Sequence, residues 1–440
     1  MAIAADASNA GFRFSQLVYD TRYRSYTIQF FVLLLVVAFL VWLVNNAIVN
    51  LAAKDKDIDF GFLWARAGYD IDQQLIPYTN DSTHFRALLI GLLNTLAVAF
   101  CACIGATILG VIAGVLRLSK NWLVARLMTV YIEVFRNVPL LLWIILTFTI
   151  FSEVPMEPKD FKVTQEMVDT WTGPEESRLY PAASMILFDT VAVTNRGTNI
   201  PAPLLHRPLG GVMIGGIPIN FSTLAVLLVF GTSLWANRRL RASAKAVQEA
   251  TGIRPVTWWK SIALIVLPTL TLLLALGLHF EVPAFAVAET GVSKGFNFQG
   301  GITVAHSFTA LLVALTLYSA TYIAEGVRAG ILAISRGQTE AAYALGLRPG
   351  RTTNLIVLPQ ALRVIIPPLI SQYLNITKNT TLGIAISYLD LKGTLGGITL
   401  NQTGRELECM LLMMLIYLGL SLMISSVMNV YNNAMKLKER

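Results

Sequence analysis

Eight stretches of the chain are predominantly apolar over about the 20 positions that a helix needs to cross a bilayer. They are residues 30–49, 87–116, 130–151, 217–236, 261–278, 308–331, 364–386 and 410–431. This pattern predicts an all-α polytopic membrane protein with about eight transmembrane helices. The first stretch follows a polar, arginine-bearing tail. It is longer than the roughly 7–15 apolar residues of a cleaved signal peptide, so it is expected to stay as an anchor. The widest polar interval, about residues 152–220, contains EVPMEPKDFKV and TNRGTNIPAPLL. Its prolines and polar residues predict an irregular surface excursion. The chain has no clear internal repeat and no low-complexity linker.

Composition agrees with the pattern. Of 440 residues, 55% are hydrophobic and 14% charged, with a mean hydropathy of +0.61. A soluble protein would carry about a quarter charged residues. The net charge of +8 raises the question of nucleic acid, but the basic residues lie between the apolar stretches instead of forming one patch. They serve instead to set orientation. With the amino terminus inside, 19 of the 34 Lys and Arg fall in the shorter inner segments and 12 in the longer outer ones. The inner set includes Arg13, Arg22, Arg24, Arg117, Lys120 and Arg126, then Arg238 to Lys260 with Arg254, Arg328 to Arg351, and Lys436, Lys438 and Arg440. Both termini are therefore expected on the cytoplasmic side. Cys101, Cys103 and Cys409 lie in or beside apolar runs and form no disulfide framework, and four scattered histidines give no metal-ligand spacing. No Gly-Lys dipeptide occurs, so no phosphate-cradling P-loop is encoded. Neither a metal nor a cofactor is expected, nor any chemistry on a substrate.

RGQTEAAYALGLRPGRTTNLIVLPQ, residues 336–360, is too polar to span a bilayer and too short to be a domain. Ser335 and Gln338-Thr339 are suitable helix starts, and Glu340 would favour the positive end. Gly346 can take the left-handed conformation that ends a helix, and Pro349-Gly350 turns the chain. Ala341, Ala342 and Ala344 keep the helix thin enough for another backbone to approach. Held between two spans, such a helix can transmit force; spacing alone equally permits a simple capped loop.

EAA followed by Gly346, and then IVLPQALR, resembles the coupling motif of importer-type ABC transporter permeases. Glu340, Ala341, Ala342, Gly346 and Pro359 occupy the motif positions. TLYSATYIAEGVRAGILAISRGQTEAA, GLLNTLAVAF, VYIEVFRNVPLLL and ITKNTTLGIAIS resemble spans of polar amino-acid permeases. FGFLWARAGYDIDQQLIPYTNDSTHFRALLIGLLNTL and GFNFQGGITVAHSF extend the resemblance to the long permeases of general L-amino-acid importers. The resemblance implies a five-helix core made of residues 86–151 and 304–433. Before it come a tail, an anchor and an outer segment over 1–85. Residues 152–303 add a periplasmic excursion and two further helices, and 434–440 form a cytoplasmic tail. It also implies separate ABC ATPase subunits, a second and non-identical permease subunit, a periplasmic amino-acid-binding protein, and residence in a bacterial inner membrane.

Charges inside a bilayer normally face protein or water. Arg136 and Asn137 precede the helix-breaking Pro139. Lys378, Asn379 and Thr380 form a polar island with Asn375, Thr377 and Thr381. These are candidates to line a substrate path, and inter-helix pairing is the plainer alternative. Glu133 with Arg136, and Glu325 with Arg328, are spaced to pair on one helix face. Gly110 with Gly114, and Gly326 with Gly330, are spaced for close helix crossing. An ion-coupled secondary transporter and a membrane scaffold without transport are the rival readings. The first predicts intramembrane carboxylates and an inverted repeat. The second predicts that the EAA helix is dispensable.

Overall fold

The computed structural model describes residues 21–53, 58–170, 185–214, 217–253, 255–287 and 292–435. Arg13, Arg254, Lys436, Lys438 and Arg440 lie outside the described residues. The chain divides after Gly61 into two compact units. The first contains α1, Thr21–Ala52, whose apolar side chains from Phe30 to Val49 are exposed. A helix hydrophobic all round has lipid or a protein core as its solvent.

The second unit is a helical bundle. In α2, His84–Arg117, the Thr83 hydroxyl accepts from the Arg86 N–H, and Arg117 faces the negative end of the helix dipole. Asn121 caps α3, Trp122–Asn137, by accepting from the N–H groups of Leu123 and Val124. The apolar pattern predicts one span over 130–151, but α3 and α4, Leu140–Glu153, meet at a bend of 105°. Val138 is extended and Pro139 has no N–H with which to continue the helix.

The stretches at 217–236 and 261–278 fold as a helical hairpin of α5, Phe221–Thr251, and α6, Trp258–Ala275. The helix α5 starts later than expected because Ile217–Asn220 pairs as a strand with Gly211–Ile214. Its apolar part then ends at Asn237, Arg238 and Arg239. The remaining long elements are α7, His306–Leu332; α8, Arg336–Ala344; α9, Leu358–Asn379; and α10, Glu406–Met435. Among the described residues six helices are long and apolar enough to cross a membrane, or seven if the bent pair is one span. The expected eighth, α5, is not among them.

The fold is mostly helical, as expected, and the described residues of the outer segment add short paired strands instead of irregular chain. Ala192–Thr194, Gly197–Ile200 and Ile302–Val304 form an antiparallel sheet. Ala202–Leu205 pairs with Leu278–Glu281, and Ala284–Val287 with Ser293–Gln299. Thr198 lies opposite Val304, so much of this pairing joins positions far apart in sequence.

Small residues place the bundle core. Ala99, Ala102 and Ala106 of α2 and Ala310, Ala314 and Ala320 of α7 are buried together. A Cβ on Gly105 would meet Thr316, one on Gly110 would lie 2.6 Å from Ile323 Cβ, and one on Gly114 would lie 2.6 Å from the Ala324 carbonyl oxygen. Contact positions rise together along both helices, so α2 and α7 are parallel. Gly330 lies against Ile365 and Ala361, and Gly326 near Pro368, so α9 returns antiparallel. Arg117 and α8 therefore share one end of the bundle, while His84 and His306 start from the other.

Candidate functional site

The helix α8 is built by its ends. Leu345 closes it, Gly346 follows at φ +76°, and two hydrogen bonds run back: Gly346 N–H to Tyr343 O at 2.9 Å and Leu347 N–H to Ala342 O at 3.1 Å. This pair is the Schellman stop, which needs a left-handed residue where glycine stands. Gln360 Nε2 donates to Gln338 Oε1 at 3.0 Å, tying α8 to the start of α9. Pro359 stands where a π-helical turn, Thr353–Val357, passes into α9 in one continuous helical run, so its missing N–H leaves one backbone bond of that run unmade.

The motif residues divide by face. Glu340, Ala341 and Gly346 are exposed, whereas Ala342 is buried against its own chain. Only one side of the alanine run is thus open to a partner. The helix begins at Arg336, so Glu340 falls beyond the first turn and does not meet the positive helix end as expected. Two exposed apolar residues were missed from sequence: Tyr343, 51% exposed, and Leu345, 82% exposed. Their signal was available, because large apolar side chains on a short polar loop are unusual unless something covers them.

An ion cluster lies at the same end. The Glu325 carboxylate accepts from Arg328 Nη2 at 2.7 Å and also from Arg117. Arg117 is in addition 3.6 Å from Glu133. The spacing of Glu325 and Arg328 thus gives a real pair, whereas Glu133 turns to Arg117 on another helix instead of to Arg136. Arg136 places its guanidinium over the Tyr322 ring, 5.2 Å from the centroid, and Tyr322 hydrogen-bonds Tyr318 at 2.9 Å. Arg136 and Asn137 are both exposed at the end of α3.

Lys378, Asn379 and Thr380 close α9. Lys378 is exposed, Asn379 half-buried, and Thr380 buried. The Thr380 hydroxyl donates to Thr377 O at 3.0 Å and lies 3.3 Å from Asp390 Oδ2. No hydrogen bond or ion pair among the described residues joins this cluster to that of Arg136. Depth follows from Tyr373, whose hydroxyl is 2.7 Å from Thr107 Oγ1 on α2. Lys378 lies five residues further, about 7 Å along the helix, which sets it beside the middle of α2. An exposed lysine at this depth costs about 2.5–3.5 kcal/mol in lipid on insertion scales. Protein or water must therefore face it. A cavity of about 590 Å³ between α2, α9 and α10 runs past Phe100, Cys103, Thr107, Tyr373 and Met428, but its walls are almost wholly apolar.

The chain is thus a multi-pass helical membrane protein with a cation at mid-depth and a short helix tied between two spans. Residues 259–437 match the family described as binding-protein-dependent transport system inner membrane component. The glutamate/glutamine/aspartate/asparagine transport system permease protein BztB of Rhodobacter capsulatus is 64% identical over 100% of both chains. The general L-amino acid transport system permease protein AapQ of Rhizobium johnstonii is 40% identical over 98% of this chain and 96% of its own. A putative amino-acid ABC transporter permease protein, YhdX of Escherichia coli, is 38% identical over 95% of both. The chain belongs to the amino-acid ABC transporter permeases, and it is a multi-pass inner-membrane protein.

Proposed function

We propose that this permease is one transmembrane subunit of an ATP-driven importer of polar L-amino acids, and that α8 couples it to separate ATPase subunits. The observation that carries the reading is the geometry of α8. It is stopped by a left-handed glycine, tied to α9, and left with Tyr343 and Leu345 exposed on its outer surface. A rigid, sticky, tethered helix suits docking. Closure of the ATPases on ATP would push α8, and α7 and α9 would carry the motion into the bundle. The concentration of Lys and Arg supports a cytoplasmic α8 and cytoplasmic termini.

Acidic amino acids and their amides are the favoured substrates, since the relative at 64% identity is named for glutamate, glutamine, aspartate and asparagine. Arg136, Asn137, Lys378, Asn379 and Thr380 would line the path, offering cations and amides to a carboxylate or side-chain amide. Exposure of Lys378 at mid-depth supports a second permease subunit over that surface, non-identical as in general L-amino-acid importers. A periplasmic binding protein would deliver the substrate. Residues 86–151 and 304–433 would form the shared core, with 152–303 as the added excursion and hairpin.

The test is uptake of labelled glutamate and glutamine into vesicles with the membrane potential collapsed and ATP retained. The reading expects uptake to persist and to cease when ATP hydrolysis is blocked. Uptake that dies with the potential would establish the ion-coupled alternative.

A further inference from the structure

At the polar end of the α5–α6 hairpin, a cavity of about 540 Å³ is lined by Arg241, Lys245, Gln248, Thr257, Trp258 and Ser261, together with Ala244. Three features of it point to one ligand chemistry. Arg241 and Lys245 supply positive charge from α5. The start of α6 has no side-chain cap at Thr257, and Thr257, Trp258 and Ser261 of its first turn line the cavity, which brings the positive end of the helix dipole beside it. Ser261 is only 4% exposed, yet its hydroxyl has no hydrogen-bond partner. A buried hydroxyl without a partner is unfavourable, and a bound acceptor would remove that cost. Lys245 does pair with Glu249 at 3.6 Å, but both side chains are largely exposed, so that pair is weak.

We infer that this cavity binds a phosphate group, and that the phosphate is that of an anionic phospholipid. The surroundings favour a lipid over a dissolved ion. The cavity lies just beyond the apolar length of the hairpin, where headgroups would be met. Trp235, Trp258 and Trp259 are exposed around it, as at a membrane interface. Arg239 stacks over Trp235 at 4.6 Å and Lys260 over Trp259 at 5.4 Å, leaving cations held at the same level. Below the cavity, Leu227, Leu228, Leu234, Ile262, Val266 and Leu270 present an exposed apolar surface on which acyl chains can lie. Nothing in the coupling of α8 depends on this site.

The full-length protein, delipidated in mild detergent, is titrated with phosphatidylglycerol, phosphatidylcholine or inorganic phosphate, and bound lipid is read by native mass spectrometry and thermal shift. Phosphatidylglycerol should be retained and should raise the melting temperature, with phosphatidylcholine and inorganic phosphate doing neither. The double variant Arg241→Gln with Lys245→Gln should weaken phosphatidylglycerol binding about tenfold or more, since each cation near a membrane contributes appreciably to anionic-lipid attraction. Ser261→Ala should weaken it several-fold while leaving the lipid-free melting temperature unchanged or higher, a combination that a merely structural serine would not give. Inorganic phosphate acting as well as the lipid would overturn the lipid assignment. Equal binding of both lipids, binding undiminished in the double variant, or capture of an acidic protein segment at the cavity in preference to lipid would overturn the site as inferred.

Discussion

Replacing Gly346 separates the role of backbone conformation from that of bulk. The residue holds φ +76°, and no atom lies within 4 Å of the position its Cβ would take. A side chain there meets open space, so the cost comes from the backbone alone. An L-residue in the left-handed region pays about 1–2 kcal/mol, while asparagine pays less because it tolerates that region. The helix α8 has nine residues, too few to be stable from its own hydrogen bonds. Loosening its stop should therefore lower the fraction ready to dock by about five- to thirtyfold for alanine, at roughly 1.4 kcal/mol per tenfold. The assay is ATPase titration against the permease in nanodiscs, with substrate-stimulated hydrolysis as readout. Half-saturation should shift upward in the order Asn, Ala, Val. An asparagine variant as impaired as valine would refute the argument, because bulk and not the left-handed stop would then be limiting. A valine variant without effect would refute it too.

Three further outcomes follow from the packing and the charges. Gly114→Val forces a side chain against the Ala324 carbonyl, so it should destabilise the fold by about 1–3 kcal/mol; Gly419→Ala, with nothing within 4 Å, should leave the melting temperature unchanged or raise it. Glu325→Gln leaves Arg117, whose side chain is 16% exposed, without its charged partner on α7, and should cost about 1–2 kcal/mol by denaturant titration. Asp390, in the connection between α9 and α10, accepts from Gly393 N–H at 2.9 Å, and burial pushes its carboxyl up to about 6. The folded state then holds its proton above the pH at which the unfolded chain, near 3.9, has lost it. Stability from this group should fall as pH rises from about 4 to about 6 and stay flat above, by at most about 3 kcal/mol. Asp390→Asn should flatten that window; an unchanged pH profile of melting would contradict it.

Much of the bundle is legible in the sequence because an apolar run in lipid has few alternatives to a helix. Thus α2, α7 and α10 fall close to their expected bounds, and Gly346 announces the end of α8 by its freedom to turn left. What depends on pairing between elements was not legible. Ile217–Asn220 reads as the start of a span because its pairing with Gly211–Ile214 leaves no apolar signature. The sheet joining Gly197–Ile200 to Ile302–Val304 spans two added helices. Glu133 finds Arg117 instead of Arg136 because α2 and α3 meet after a tight turn, and helical spacing says nothing of neighbours on other helices. The 105° bend was half visible, since Pro139 marks a break but not its angle. For the proposed path, Lys378 was conspicuous as a charge in an apolar stretch. Its depth follows only from the bond between Tyr373 and Thr107.

Contact between α8 and an ATPase is the central claim, and site-directed cross-linking tests it directly. In a chain whose Cys101, Cys103 and Cys409 have been replaced, Leu345→Cys puts a thiol on the most exposed apolar position of α8, and Phe296→Cys puts one on an 88% exposed strand residue of the excursion. With the co-purified complex, position 345 should cross-link to the nucleotide-hydrolysing subunit with a yield that changes on adding ATP, and position 296 should not. An intact complex in which position 345 gives no such product, or in which only position 296 does, would contradict the account.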